Sequence, residues 1–206
     1  MISDNMASHI PSTMSFEQAS VIPLGLSTSA CGMFQADYLA LQHPSVNPNS
    51  TGKTLVVWGG ASSVGSNAIQ LGVAAGYEVI TTASPKNFEY VKKLGASQAF
   101  DYHSDKIVDE LVAALKNKTN AGFIDCIGQN GSWESCADVA LKSKGGKFIA
   151  ASRQPPEEIP EGVSSKFILS YGIKDSEVSK AVYQDFLPEA LAKGKFIPAP
   201  DPHVVG

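Results

Sequence analysis

The chain has 206 residues, 43% of them hydrophobic and 17% charged, with a formal net charge of −4. That length supports one large globular core without disulfides or metals, and the acidic balance with no Lys/Arg run argues against a nucleic-acid partner. With no apolar run near the ~18 residues of a membrane span, no signal peptide in view and no C-x-x-C pair among Cys31, Cys126 and Cys136, a soluble cytoplasmic protein with reduced thiols is expected.

Residues 1–14 are polar and irregular. Ser15-Phe16-Glu17-Gln18 has the form of a capping box, with Ser15 as N-cap and Gln18 three residues on, and opens a short helix that ends before Pro23. Leu24 to Leu41 is helix-compatible, with Met33, Phe34, Tyr38 and Leu41 spaced for one apolar face. His43 to Gly52, rich in Pro, Asn and Ser, reads as a loop. Strands and helices then alternate. Strands are expected at Thr54–Trp58, Glu78–Ala83, Gln98–Asp101, Gly122–Cys126, Lys147–Ala151 and Lys166–Tyr171. Helices are expected from Val64 to near Gly76, over Asn87–Leu94, around Ile107–Leu115, over Trp133–Leu141 and over Val178–Ala192. Helix-length connections between strands imply right-handed parallel crossovers. The fold expected is α/β, a doubly wound six-stranded parallel sheet in the order 3-2-1-4-5-6, with residues 1–52 leading into a domain at 53–206.

In such a sheet the ligand crevice lies beyond the carboxyl end of the first strand, where strand order reverses. Here that strand runs into Gly59-Gly60-Ala61-Ser62-Ser63-Val64-Gly65 and directly into a helix. Backbone N–H groups and the positive end of a helix dipole there face one small volume that suits a phosphate. Gly60, Ser62 and Gly65 stand in the three places of the dinucleotide pattern G-x-G-x-x-G, with Ser for the middle glycine. Ser is small enough for close backbone approach, and its hydroxyl can donate to a phosphate oxygen. A tight strand-to-helix turn without a ligand is the plainer alternative. Competing motifs fail on their own terms. Gly65 is followed by Ser66-Asn67, not by the Lys-Ser/Thr of a Walker loop, Gly52-Lys53-Thr54 precedes its strand, and Val64 stands where a nucleophile elbow needs Gly. Tyr102-His103-Ser104-Asp105-Lys106 has Y-x-x-x-K spacing, but Tyr102 ends a strand and does not ride a long helix.

The end of the second strand selects the cofactor. An NAD site carries Asp or Glu there for the ribose 2′-OH. This chain has Thr81-Thr82-Ala83-Ser84-Pro85-Lys86-Asn87, free of acid. Ser84, Lys86 and Asn87 can donate to a 2′-phosphate that a carboxylate would repel, so NADP(H) is expected. Ser84 and Asn87 serve equally well as caps of the next helix. The missing acid also counts against S-adenosylmethionine. Tyr102, after the third strand, could reach adenine or the 2′-phosphate, or could be a half-exposed strand-end tyrosine.

With these residues in hand the chain resembles the cofactor domain of the medium-chain dehydrogenase/reductases, and within them the fungal zinc-binding-oxidoreductase-like branch near the quinone reductases and trans-acting enoyl reductases. The likeness rests on Ile10-Pro11…Met14-Ser15-Phe16-Glu17-Gln18-Ala19, Pro23-Leu24-Gly25-Leu26-Ser27-Thr28, Trp58 to Gly65, Ala83 to Phe88, Leu94-Gly95-Ala96 and Phe100-Asp101-Tyr102. The resemblance implies a Rossmann domain in which Ser62, Ser63 and Val64 bind pyrophosphate, and Ser84, Lys86, Asn87 and Tyr102 hold the 2′-phosphate. It implies also that Cys126-Ile127-Gly128 and Ala151-Ser152 lie near the nicotinamide, with Thr28 near the ring or serving only as a helix or core hydroxyl.

The family's barrel-like substrate module and its returning helix and strand have no counterpart here, so the chain reads as an excised or proteolysed cofactor domain. The zinc-dependent members' hinge cysteine falls at Leu24; Cys31, seven residues on, has no His or Cys beside it, and no metal is expected. The function implied is hydride transfer between NADPH and an activated C=C, quinone or carbonyl, with no catalytic acid assignable in these residues and the small-molecule substrate met through the missing module. A non-catalytic NADPH-binding sensor or a dimerisation module is the alternative. Residues 165–171, apolar through Phe167-Ile168-Leu169, form either a covered edge or one that pairs with a second copy.

Overall fold

The computed structural model describes residues 4–205. Six parallel strands, β1 (Lys53–Trp58), β2 (Glu78–Ala83), β3 (Gln98–Asp101), β4 (Thr119–Asp125), β5 (Phe148–Ala151) and β6 (Ser164–Phe167), form one sheet in the order β3-β2-β1-β4-β5-β6. This is the doubly wound arrangement expected from the alternation of strands and helices.

The sheet is buried on both faces, as parallel sheets are. Side chains alternate along each strand, so Leu55 and Val57 join one core while Val56 and Trp58 join the other. The first core lies under α2 (Pro23–Phe34), α3 (Ser63–Ala74) and α4 (Phe88–Lys93), and takes in the C-terminal helical segment. The second lies under α5 (Ile107–Ala114) and α6 (Ser132–Lys142), around Ile80, Leu111, Phe123, Trp133 and Ile149. Among the described residues no helix is long and apolar enough to cross a membrane.

The capping box before α1 (Phe16–Ser20) is formed in full: Gln18 N–H donates to Ser15 Oγ at 3.2 Å and Ser15 N–H to Gln18 Oε1 at 3.0 Å. The helical run expected to Leu41 stops at Phe34. Beyond it the chain turns, with Ala40 at φ 48°, and Tyr38 and Leu41 reach the core from a loop. The C-terminal helix is α7 (Glu177–Ser179), a π-helical stretch Lys180–Phe186, and α8 (Leu187–Ala192). Leu187 N–H bonds to Val182 O, one residue wider than an α turn. Pro188 follows directly; it has no N–H to give the ladder, which is a physical cause for the local widening.

The sixth strand departs from expectation. It covers Ser164–Phe167 and not Lys166–Tyr171. Ile168 still bonds Ala151 O at 2.8 Å, after which the backbone leaves the sheet and Ser170–Asp175 forms a 3₁₀ turn. The apolar run that suggested a strand is divided by depth: Ile168 is buried against Gly32 of α2, while Leu169 is 43% exposed. Hydrophobicity alone does not tell a buried strand from a plug that follows one.

The joint between β1 and α3 is a tight backbone contact. A Cβ on Gly65 would lie 2.2 Å from Gly59 O and 2.7 Å from Gly60 Cα, both backbone atoms with little room to move. Gly65→Ala is therefore expected to cost roughly 2–3 kcal/mol in urea unfolding, whereas Gly172→Ala, with nothing within 4 Å of its Cβ, should unfold close to the wild-type midpoint.

Candidate functional site

Beyond the carboxyl ends of β1, β2 and β4 lies a cleft of about 320 Å³. Its floor is the turn after β1. Gly59, at φ 81°, has room for no side chain, because a Cβ would meet Ile127 at 2.4 Å. Gly60 is equally constrained by Thr81 Oγ1 of β2, 2.2 Å from where its Cβ would stand. The turn is pinned from β2: Gly59 N–H donates to Thr82 Oγ1 at 3.0 Å and Gly60 N–H to Thr82 O at 2.9 Å.

Ser62 caps α3. Its Oγ accepts from Gly65 N–H at 3.0 Å and donates to Gly59 O at 2.8 Å. The single hydroxyl proton is thus committed inside the turn in this structure, and Ser62 lines the cleft while capping the helix that borders it. Ser66 N–H goes to Ser62 O at 2.8 Å. The helix geometry then leaves the N–H groups of Ser63 and Val64 as the first-turn donors without an intrahelical acceptor.

A second wall comes from β2 and β3. Ser84 precedes and Asn87 ends a 3₁₀ turn (Pro85–Asn87), and neither side chain caps a helix. Their polar groups are therefore available to the cleft that both line. Ser84 Oγ lies 3.1 Å from the Tyr102 hydroxyl, so two predicted residues eighteen positions apart meet. Lys86 is exposed at the rim and is not among the lining residues.

The third wall is the turn after β4, where Ile127 lies against Gly59. Asp125 organises it. This fully buried carboxylate accepts from Ile127 N–H and Gly128 N–H on Oδ1, each at 3.0 Å, and from Ser132 Oγ on Oδ2 at 2.8 Å. Burial raises its pKa above the ordinary carboxylate range, against the pull of those bonds. Gln129, Asn130 and Ser135 complete this side. These residues and Asp125 lie outside the predicted set. An Asp ending a strand before Cys-Ile-Gly is an available turn signal, since Asp side chains accept from backbone N–H groups two residues on.

Six predicted residues are not in the cleft lining: Gly60, Ser63 and Val64 of the turn and its helix, Lys86, Ser152 and Thr28. Ser152 N–H bonds Asp125 O at 2.9 Å, beside the third wall. Thr28 Oγ1 donates to Leu24 O at 2.8 Å, a bond within α2, so its hydroxyl is engaged as a helix hydroxyl. No thiol is poised for chemistry. Burial pushes Cys31 up to about 11 and holds Cys126 and Cys136 well above the ordinary thiol value.

A family model described as "Zinc-binding dehydrogenase" matches residues 63–179, from the first turn of α3 to the C-terminal helix. The chain belongs to the zinc-binding dehydrogenase family. It is the cofactor-binding part of a medium-chain dehydrogenase/reductase, as its sequence resemblance implies. Dehydrogenase orf1 of Aspergillus niger is 52% identical over 208 residues, covering 98% of this chain and 60% of that protein. Trans-enoyl reductase himH of Aspergillus japonicus is 39% identical, with 97% and 58% covered. The chain thus spans about 60% of the length of these curated relatives. The crystal structure of Escherichia coli quinone oxidoreductase complexed with NADPH superposes with a TM-score of 0.69 at 18% identity, over 92% of this chain and 57% of that one, a likeness of fold.

The zinc of the family's description finds no ligand set in this part. Among the described residues no three His, Cys, Asp or Glu side chains come together, and all three cysteines are buried singly.

Removing the Asp125 carboxylate should leave two backbone N–H groups and a hydroxyl without an acceptor. Asp125→Ala is expected to cost about 2–4 kcal/mol in chemical unfolding, and Asp125→Asn, which keeps an acceptor oxygen, distinctly less. The pH dependence follows from the sign of the shift. A carboxyl whose folded-state value is raised contributes stability that is full below the unfolded value of about 3.9 and is lost as pH rises through the folded one. Tm measured from pH 3 upward should therefore change less steeply in Asp125→Asn than in the wild type.

Proposed function

We propose that the cleft holds NADP(H), and that the protein to which this chain belongs is an oxidoreductase that reduces an activated C=C, quinone or carbonyl. The observation that carries this reading is the convergence, beyond the strand-order reversal, of the capped α3 terminus with the Ser84–Tyr102 hydroxyl pair across one crevice. The fit is good at both ends. The Ser63 and Val64 N–H groups suit a pyrophosphate, and the glycines at 60 and 65 keep the turn free of side chains that would fill it. Ser84, Asn87 and Tyr102, with Lys86 at the rim, suit a 2′-phosphate; Ile127, with Ser152 and Thr28 farther off, marks the nicotinamide side. The nicotinamide supplies a hydride when bound; this chain's residues grip the phosphates, orient the ring and exclude water along the Ile127 wall. The trans-enoyl reductase relative and the NADPH-bound quinone oxidoreductase support the same class of chemistry.

Residues 53–206 act in this reading as the cofactor domain, in the cytoplasm, with residues 1–52 leading into it. The substrate is met with the help of a further module. One observation favours a second reading, a non-catalytic NADPH-binding module: among the described residues no Asp, Glu, His, Lys or Cys lines the cleft. Activity of the full-length protein decides between them, since a hydride-transfer enzyme oxidises NADPH in the presence of an enone or quinone and a sensor does not. The chain alone should bind cofactor without turnover. We propose also that the outer edge of β6, continuous with exposed Leu169 and Tyr171, pairs with a second copy; a monomer mass in sedimentation equilibrium at micromolar concentration overturns that.

Fluorescence titration of the chain should show tighter binding of NADPH than of NADH. Ser84→Asp should weaken NADPH about tenfold or more by placing a carboxylate against the 2′-phosphate, and leave NADH unharmed. Equal affinity for the two cofactors, or binding of neither, overturns the cofactor assignment.

A further inference from the structure

The segment after β2 is free of acid, but the neighbouring strand is not. In the β2–β3 register Ala83 is opposite Asp101, and Ala83 lines the cleft. Register partners in parallel strands project to the same side of the sheet. Asp101 therefore stands beside the strand end from which Ser84 follows, and directly before Tyr102, whose hydroxyl meets Ser84. An open carboxylate here would oppose a 2′-phosphate as an acid at the end of β2 does.

The carboxylate is partly exposed, and one of its oxygens is partnered. Asp101 Oδ1 accepts from the His103 backbone N–H at 3.0 Å and lies 2.8 Å from His103 Nδ1. The His103 backbone bond, then its ring, holds the Asp101 carboxyl below the usual carboxylate range, so Asp101 is an anion. The imidazole is fixed on its other side as well: its ring lies 4.1 Å from the Tyr102 ring, tilted by 33°. One residue thus partners Oδ1 of the acid at this strand end and lays its ring against the tyrosine that faces Ser84.

We infer that His103 masks the Asp101 carboxylate from the 2′-phosphate and so sets part of the preference for NADPH over NADH. This rests on the NADP(H) reading of the cleft. His103 touches no cofactor in this scheme; it is a positioning residue that acts through Asp101. The interaction it suppresses is a charge–charge repulsion across a half-exposed site, worth about tenfold in affinity.

The test is a titration of wild type, His103→Ala and the double variant His103→Ala/Asp101→Asn with NADPH and with NADH, followed by the fluorescence of Trp58 in the cleft wall. His103→Ala should weaken NADPH about tenfold while NADH stays within about twofold. Adding Asp101→Asn should restore most of the NADPH affinity, although the imidazole is still missing. Failure of the double variant to recover would mean that ring stacking on Tyr102, not the charge of Asp101, is what matters, and overturns the inference. So does an unchanged NADPH affinity in His103→Ala, or an equal loss for both cofactors. A wild type without NADPH preference overturns the cofactor reading itself, and is seen before any variant is made.

Discussion

The contact between the first turn of α3 and the Gly59–Gly60 backbone sets the geometry on which the rest of the site depends. Helix and strand approach so closely at Gly65 that no Cβ fits, and that approach aims the α3 terminus across the end of β1. The turn between them does not stand alone. Its first two N–H groups are taken by Thr82, and Thr81 Oγ1 donates to Val57 O at 2.6 Å, so two adjacent threonines on β2 hold the floor of the cleft. Ser62 spends its hydroxyl on capping, and the donors left over are backbone groups of α3. The proposed phosphate site is thus a helix terminus made rigid by its neighbours.

The opposite wall uses a buried charge for a similar purpose. Asp125 has no solvent contact and three donors, so the turn Cys126-Ile127-Gly128 is held against the end of β4 by bonds that cannot be exchanged for water. Gly128, at φ 64°, packs against the stem of Arg153, the residue after Ser152, which ties this turn to the end of β5. The two walls meet where Ile127 covers Gly59. Glycine at 59 is thus needed both for its backbone conformation and for the apolar side chain laid across it.

Much of this was legible in the chain. Alternating strands and helices predict the sheet and its order, because short crossovers admit one hand and few topologies. The small residues at 60, 62 and 65 locate the tight strand-to-helix turn, and the Ser15–Gln18 box is seen in full because a cap is a local motif. The errors lie where depth decides. Phe167-Ile168-Leu169 has the composition of a strand, but only tertiary packing divides it into a strand end, a plug against Gly32 and an exposed Leu169. Whether the Ser62 hydroxyl caps the helix or faces the cleft is likewise settled by the fold of the turn, where it donates to Gly59 O. The nearness of Asp101 to the end of β2 is set by the β2–β3 register, which the residues around Ser84 do not reveal.

Sequence by itself therefore determined the architecture, the switch point and the residue types available there, since periodicity, turn chemistry and steric smallness act over a few positions. Tertiary structure decided which of those groups face the cleft, which are consumed by the scaffold, and which charges stand beside one another. Those outcomes depend on strand register and burial between segments far apart in the chain: Ser84 with Tyr102, Asp101 with Ala83, Thr82 with Gly59. No local pattern carries that information, because register is a relation between two strands and not a property of either.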